Sequence, residues 1–119
     1  MKVVIAGGRN YALTVYDEAA LEGLHRCYGW TEVVHGGATG ADTGAGAWAA
    51  RQGLPVTMLS AQWAQYGKAA GPLRNKAMAQ YVGPDGMCVA FPGGVGTADM
   101  IQKAHANGLR VVDWRKGVS

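Results

Sequence analysis

The chain of 119 residues has only two cysteines and one phenylalanine, and its charged residues amount to 16%. Cys27 and Cys88 form no CxxC pair and show no metal-ligand spacing, so neither a metal site nor a redox motif is expected. Both fall in apolar surroundings, which predicts free buried thiols in a reducing compartment rather than a disulfide. No apolar run reaches the ~18 residues of a membrane span, and the apolar stretch in the opening MKVVIAGG is too short for a signal peptide. The expected location is cytoplasmic, with no membrane partner. Two nucleotide fingerprints are also missing. No G-x-x-x-x-G-K-[ST] occurs, and no G-x-G-x-x-G follows the first apolar run, which disfavours a P-loop NTPase and a nicotinamide dehydrogenase.

A strong excess of one charge is lacking as well. Eleven Lys plus Arg stand against eight Asp plus Glu, a formal net charge of +3. The basic residues are scattered from Lys2 to Lys116 without a run. Nucleic-acid binding usually shows a clustered basic footprint, so nucleic acid is not an expected partner.

Glycine, by contrast, is abundant, at 19 residues. The glycines are neither periodic nor in low-complexity runs; most close apolar segments, where a backbone turns sharply or approaches a ligand. KVVIA at 2–6 reads as a strand buried on both faces and ends at Gly7-Gly8. Thr14 is placed as a helix N-cap, with Asp17 and Glu18 in the first turn and Leu21, Leu24 and Tyr28 at helical spacing before Gly29. EVVH at 32–35 is a second strand, closed by Gly36-Gly37. A helix of small residues follows over 41–52, with Ala45, Trp48, Ala49 and Gln52 on one face. Pro55 to Leu59 is a third strand, 60–70 is irregular, and Gly71-Pro72 opens a helix over 73–82. MCVAF at 87–91 is a fourth strand ending in Pro92-Gly93-Gly94, a helix covers 97–107, and 109–113 is a fifth strand. Alternating strands and helices predict one α/β domain over 1–119, a Rossmann-like three-layer sandwich around a parallel sheet of about five strands.

Three strands therefore end in a double glycine, and a parallel sheet gathers all those ends at one edge, where ligands bind. Glycine turns leading into helices present N–H groups and the positive end of the helix dipole to an anion. The expected ligand-binding set is accordingly Gly7, Gly8, Gly36, Gly37, Gly40, Pro92, Gly93, Gly94 and Gly96. Arg9, beside the first turn, reads either as a phosphate clamp or as half of a surface ion pair. Tyr11 either stacks on a base or packs beside the first helix. Thr39 can bond a phosphate, and Asp42 either accepts from a ribose hydroxyl or caps its helix. Arg74 should lean back toward the site edge, and Asn75 can hydrogen-bond a base or ribose. Met78 walls the pocket or packs in the core. Thr97 can serve both as phosphate donor and as N-cap. His25 and His105 read as solvated helix residues and His35 as structural.

These stretches carry a resemblance. GGRNY at 7–11, GGATGAD at 36–42, AGPLRNKAM at 70–78 and FPGGVGTADM at 91–100 are ordered and spaced as in the SLOG superfamily, named for the Smf/DprA and LOG proteins. Within it the chain most resembles the YspA/YpsA-related group. The resemblance implies a Rossmannoid pocket for nucleotides or nucleotide-derived molecules such as ADP-ribose compounds. LOG-type relatives are phosphoribohydrolases with PGGxGTxxE and an upstream R-K-x-x-M. Here Arg74 matches the arginine, Asn75 replaces the lysine and Met100 takes the glutamate position. An oxocarbenium-like transition state needs a carboxylate that methionine cannot supply, and Asp99, one residue away, is rotated by about 100° on a helix.

The expectation is a nucleotide-derivative binding protein, a sensor or sequestering protein, with no cofactor. The alternative is a nucleotide-processing hydrolase using Asp42, Asp99 or Arg74. Single-strand DNA binding, as in DprA-type relatives, comes third. Trp30 and Trp114 near element ends suggest unburied apolar area, and relatives that commonly associate imply a homo-oligomer.

Overall fold

The computed structural model describes residues 1–118. Five parallel strands, β1 (Lys2–Ala6), β2 (Glu32–His35), β3 (Val56–Met58), β4 (Met87–Ala90) and β5 (Arg110–Asp113), form one sheet in the order β3-β2-β1-β4-β5. The helices are α1 (Val15–Tyr28), α2 (Ala41–Arg51), the short α3 (Trp63–Tyr66), α4 (Ala70–Val82) and α5 (Val95–Ala106), with a 3-10 turn at Gly67–Ala69. This is the Rossmann-like α/β sandwich expected from the alternation of strand and helix signals.

Strand alternation divides the core in two. Val3 and Ile5 of β1 face Leu21 of α1 and Trp48 of α2 on one side of the sheet. Val4 and Ala6 face Met78 and Val82 of α4 and Met100 and Ala104 of α5 on the other. Because both faces are covered, β1 and β4 are continuously apolar rather than alternating. The chain moves outward from β1 to β3, then returns through α4 to β4 on the opposite side of β1. The order therefore reverses between β1 and β4, and the C-terminal ends of those strands leave a crevice between their diverging crossovers.

Local chemistry sets the helix starts. Thr14 caps α1 in a capping box: its hydroxyl accepts from Asp17 N at 3.1 Å, and Asp17 Oδ2 accepts from Thr14 N at 2.9 Å. Gly29, with φ 64°, closes the helix in the left-handed conformation.

Several expectations are corrected. Gln52 lies beyond α2 and is exposed, because the helix stops one residue earlier. The third strand shortens to three residues and sits at the sheet edge, with Val56 and Met58 exposed. Within 60–70, α3 and the 3-10 turn replace irregular chain, and α4 begins at Ala70, so Pro72 falls inside the first turn, where no helical N–H is required. Helix α5 begins at Val95, two residues before Thr97. Cys27 is exposed; Cys88 alone is buried, and burial pushes its thiol up to about 12. His25 is half-buried rather than solvated: its Nδ1 accepts from Trp30 N at 3.1 Å and its ring packs on Trp30. Trp30 itself is buried, and the exposed tryptophan is Trp63. Among the described residues, no helix is long and apolar enough to cross a membrane.

Candidate functional site

A cleft of about 590 Å³ opens at the reversal point between β1 and β4. Two glycine turns form its base. Gly8 N donates to Pro92 O at 2.8 Å, so the chains leaving β1 and β4 touch backbone to backbone. A Cβ on Gly8 would lie 3.2 Å from Gly93 Cα, and one on Gly93 would lie 2.7 Å from Gly8 N. At position 93 only glycine allows that approach, and a side chain at position 8 would force the facing backbone to give by a few tenths of an ångström.

The first and third turns line the cleft through Gly7, Gly8 and Arg9 on one side and Pro92, Gly93, Gly94 and Gly96 on the other, joined by Tyr11 and Thr97. Asp42, Arg74 and Asn75 complete the expected residues that reach it. Gly36, Gly37, Thr39 and Gly40 do not line the cleft. They brace it: Thr39 Oγ1 donates to Arg9 O at 3.0 Å, and Ala41 N donates to Gly8 O at 3.2 Å, so the second turn holds the first in place. Gly40, with φ 74°, packs directly on the Arg9 carbonyl where a side chain has no room.

The second turn also carries its own anion. Asp42, in the first turn of α2, accepts from Gly36 N at 3.1 Å and from Ala38 N at 3.2 Å through the same oxygen, Oδ2. Gly37 N is taken by His35 Nδ1 at 3.0 Å. The amides of Gly36, Gly37 and Ala38 are therefore engaged from within the loop. Burial raises the Asp42 carboxyl above its ordinary value, against the pull of the Ala38 amide, His35, Arg74 and the Gly36 amide.

Helix α5 is different. Its N-cap is Gly94, no side chain caps it, and its first turn holds no acid. Among the described residues, the amides of Gly94, Val95, Gly96 and Thr97 find no intramolecular acceptor. Four free donors and the positive end of a 12-residue helix thus open on the cleft. Thr97 sits in this first turn rather than at the N-cap, with its hydroxyl against Gly93.

Two guanidiniums share the cleft, and neither Arg9 nor Arg74 forms an ion pair among the described residues. Arg9 is exposed at the lip. Arg74 is half-buried and fixed by neutral acceptors: Nη1 donates to Gly36 O at 2.8 Å and Nε to Asn75 Oδ1 at 3.0 Å. Burial lowers the Arg74 pKa, with Asp42 acting in the opposite direction, yet a guanidinium stays charged at neutral pH. Asn75 is buried, and its amide group is fully engaged: Nδ2 donates to Gly96 O at 3.2 Å and to Asp99 Oδ2 at 3.0 Å. It therefore ties Arg74 to the start of α5.

Asp99 does not line the cleft. It pairs with Lys103 at 2.8 Å, and although burial acts to raise its pKa, the hydrogen bonds from Lys103 and Asn75 outweigh that and lower it. Tyr11 packs on Phe91 at 6.0 Å between centroids and donates its hydroxyl to Asp17 at 2.7 Å, so it is anchored to the core as well as facing the cleft. Ile5, Ala6, Met78 and Met100 form the floor, and Met78 serves there both as pocket wall and as core residue. The apolar pattern of Ile5 and Ala6 marks them only as core, and nothing local distinguishes a core residue that also floors a cleft.

The profile of the YspA, cpYpsA-related SLOG family matches residues 1–66, and so accounts for β1 through α3. The chain belongs to this family. It is also 41% identical over 122 residues to the "Gene 61 protein" of Mycobacterium phage D29, covering 95% of each chain. That similarity carries through α4 and α5, where Arg74, Asn75 and the α5 turn lie. No solved structure matches the chain.

Proposed function

We propose that the protein binds a nucleotide or nucleotide-derived molecule, an ADP-ribose-type compound or a nucleoside phosphate, and acts as a sensor or sequestering protein. The observation that carries this reading is the meeting, in one cleft, of four amides at the start of α5 that are unpaired among the described residues with two arginines that have no carboxylate partner among them. Such a cluster of donors and positive charge is complementary to a phosphate. The apolar floor and Tyr11 offer a less polar surface to a sugar or base. A volume near 590 Å³ lies in the range typical of small-molecule sites.

Hydrolysis of an N-glycosidic bond is the weaker reading. The floor presents Met100 where the LOG pattern has a carboxylate, Asp99 is engaged with Lys103 and Asn75, and Asp42 caps its own loop. The test is calorimetric titration with AMP, ADP-ribose, adenosine and inorganic phosphate, with chromatography of the mixtures afterwards. The expected result is binding of a phosphorylated nucleoside, none of adenosine, and no released base. Equal binding of adenosine and AMP would remove the anion site from the proposal, and released base would make the protein an enzyme.

A further inference from the structure

Arg74 belongs to two cavities. It lines the cleft, and it also lines a groove of about 390 Å³ at the carboxyl end of β3. Because β3 runs parallel to the strands beside it, cleft and groove open on the same edge of the sheet. The turn after β2 stands between them. Arg74 Nη1 donates to Gly36 O at 2.8 Å, and Leu59 N donates to His35 O at 3.0 Å. The groove is walled by the chain after β3 and the first half of α4. Trp63 of α3 packs over Gly71, where a Cβ would lie 3.2 Å from the ring. That missing side chain seats α3 against α4 and brings Tyr66 to the groove beside Leu73.

The chemistry of the groove differs from that of the cleft. Among the described residues, Arg74 is the one charged residue that lines it. Leu59, Leu73 and the Tyr66 ring supply apolar surface. The hydroxyls of Ser60 and Tyr66 and the amide of Gln62 have no protein partner among the described residues, and none of them is sealed from solvent. Hydroxyls and primary amides both donate and accept. They match an uncharged group that also does both and has a less polar ring face. A sugar is such a group.

We propose that the groove is a second subsite, holding a sugar carried beyond the phosphates, and that the ligand is a nucleoside diphosphate sugar lying across Arg74. This rests on the cleft being the nucleotide site. The nucleoside and first phosphate then occupy the cleft, over its apolar floor and against the amides of α5. The second phosphate meets Arg74, whose Nη2 has no protein acceptor among the described residues. Asn75 ties that arginine to the start of α5, so both phosphates meet donors held in one frame. The sugar continues into the groove. A nucleoside monophosphate would leave the groove empty.

Calorimetric titration of the full chain with adenosine, ADP, ADP-ribose and ADP-glucose tests the subsite. ADP holds the same two phosphates without the sugar and carries more negative charge, so the anion site alone would favour ADP. The wild type should instead bind both sugar derivatives about tenfold more tightly than ADP, the worth of one or two hydrogen bonds. Tyr66→Ala and Gln62→Ala, each at an exposed position, should cut that ratio to about threefold or less. A merely structural role would weaken ADP and the sugar derivatives by the same factor. A wild type that binds ADP as tightly as ADP-ribose overturns the subsite and leaves the nucleotide reading standing. So do two folded variants that keep the full ratio, or that lose both ligands equally. Adenosine bound as tightly as ADP, or no binding of any of the four, removes the nucleotide reading and the subsite with it.

Discussion

Replacing Arg74 with alanine should damage ligand binding far more than it damages the fold. The guanidinium is held by two neutral acceptors, Gly36 O and Asn75 Oδ1, which orient it without cancelling its charge. Its Nη2 has no protein acceptor among the described residues. A hydrogen bond to a charged group is worth about 1.5–3 kcal/mol. Removing one such bond to a ligand phosphate should therefore raise Kd by roughly 10- to 150-fold. On the folding side, Arg74→Ala strips the Gly36 carbonyl of its donor, but it also removes a charge whose burial is itself unfavourable. These effects oppose each other, and the expected net loss of stability is about 1 kcal/mol. Arg74→Lys should fall between wild type and alanine in affinity, since it keeps the charge and loses the planar fork. Calorimetric titration with the tightest phosphorylated nucleoside, beside thermal unfolding of each variant, measures both quantities. A folded Arg74→Ala protein whose Kd stays within about twofold of wild type would refute the assignment of Arg74 to the anion site.

Other consequences follow from the same geometry. Gly96 lines the cleft, and a Cβ there meets nothing within 4 Å; Gly96→Ala should stabilise α5 by about 0.5–1 kcal/mol in thermal unfolding while weakening phosphate binding by crowding the free amides. Thr14→Ala breaks the capping box of α1 and should cost about 1 kcal/mol by denaturant titration, with ligand affinity unchanged. Burial lowers the His35 pKa, with Asp42 raising it and Arg74 lowering it further. A depressed folded pKa means that His35 supports stability above the ordinary value near 6.5 and that this support is lost as pH falls below it. The melting temperature should therefore drop between about pH 7 and pH 5, and His35→Asn, which keeps an acceptor for Gly37 N, should flatten that slope.

The strand and helix order could be read from the sequence because its signals are local. Continuous β-branched runs mark strands buried on both faces, Thr14 with Asp17 writes its own cap, and Gly29 stops a helix through its φ. The weaker boundaries share a cause. Residues 60–70 have no periodicity to read. The starts of α4 and α5 lie among glycines and a proline that favour turns locally, and their packing extends the helices backwards to Ala70 and Val95.

The site divides along the same line. Three double-glycine turns at strand ends, and Arg9 and Arg74 beside them, are properties of the sequence, and so is the contrast between Asp42 in the first turn of α2 and the lack of any acid in the first turn of α5. Which amides remain free is not. That depends on Asp42 folding back onto Gly36 and Ala38, on His35 taking Gly37 N, and on α5 starting at Val95. Nor does the sequence state that Asn75 is consumed by Arg74, Gly96 and Asp99. A hydrogen-bonding group is available to a ligand only if no protein partner reaches it first, and the partners here lie on other elements, brought together by the packing of α2, α4 and α5 around the sheet.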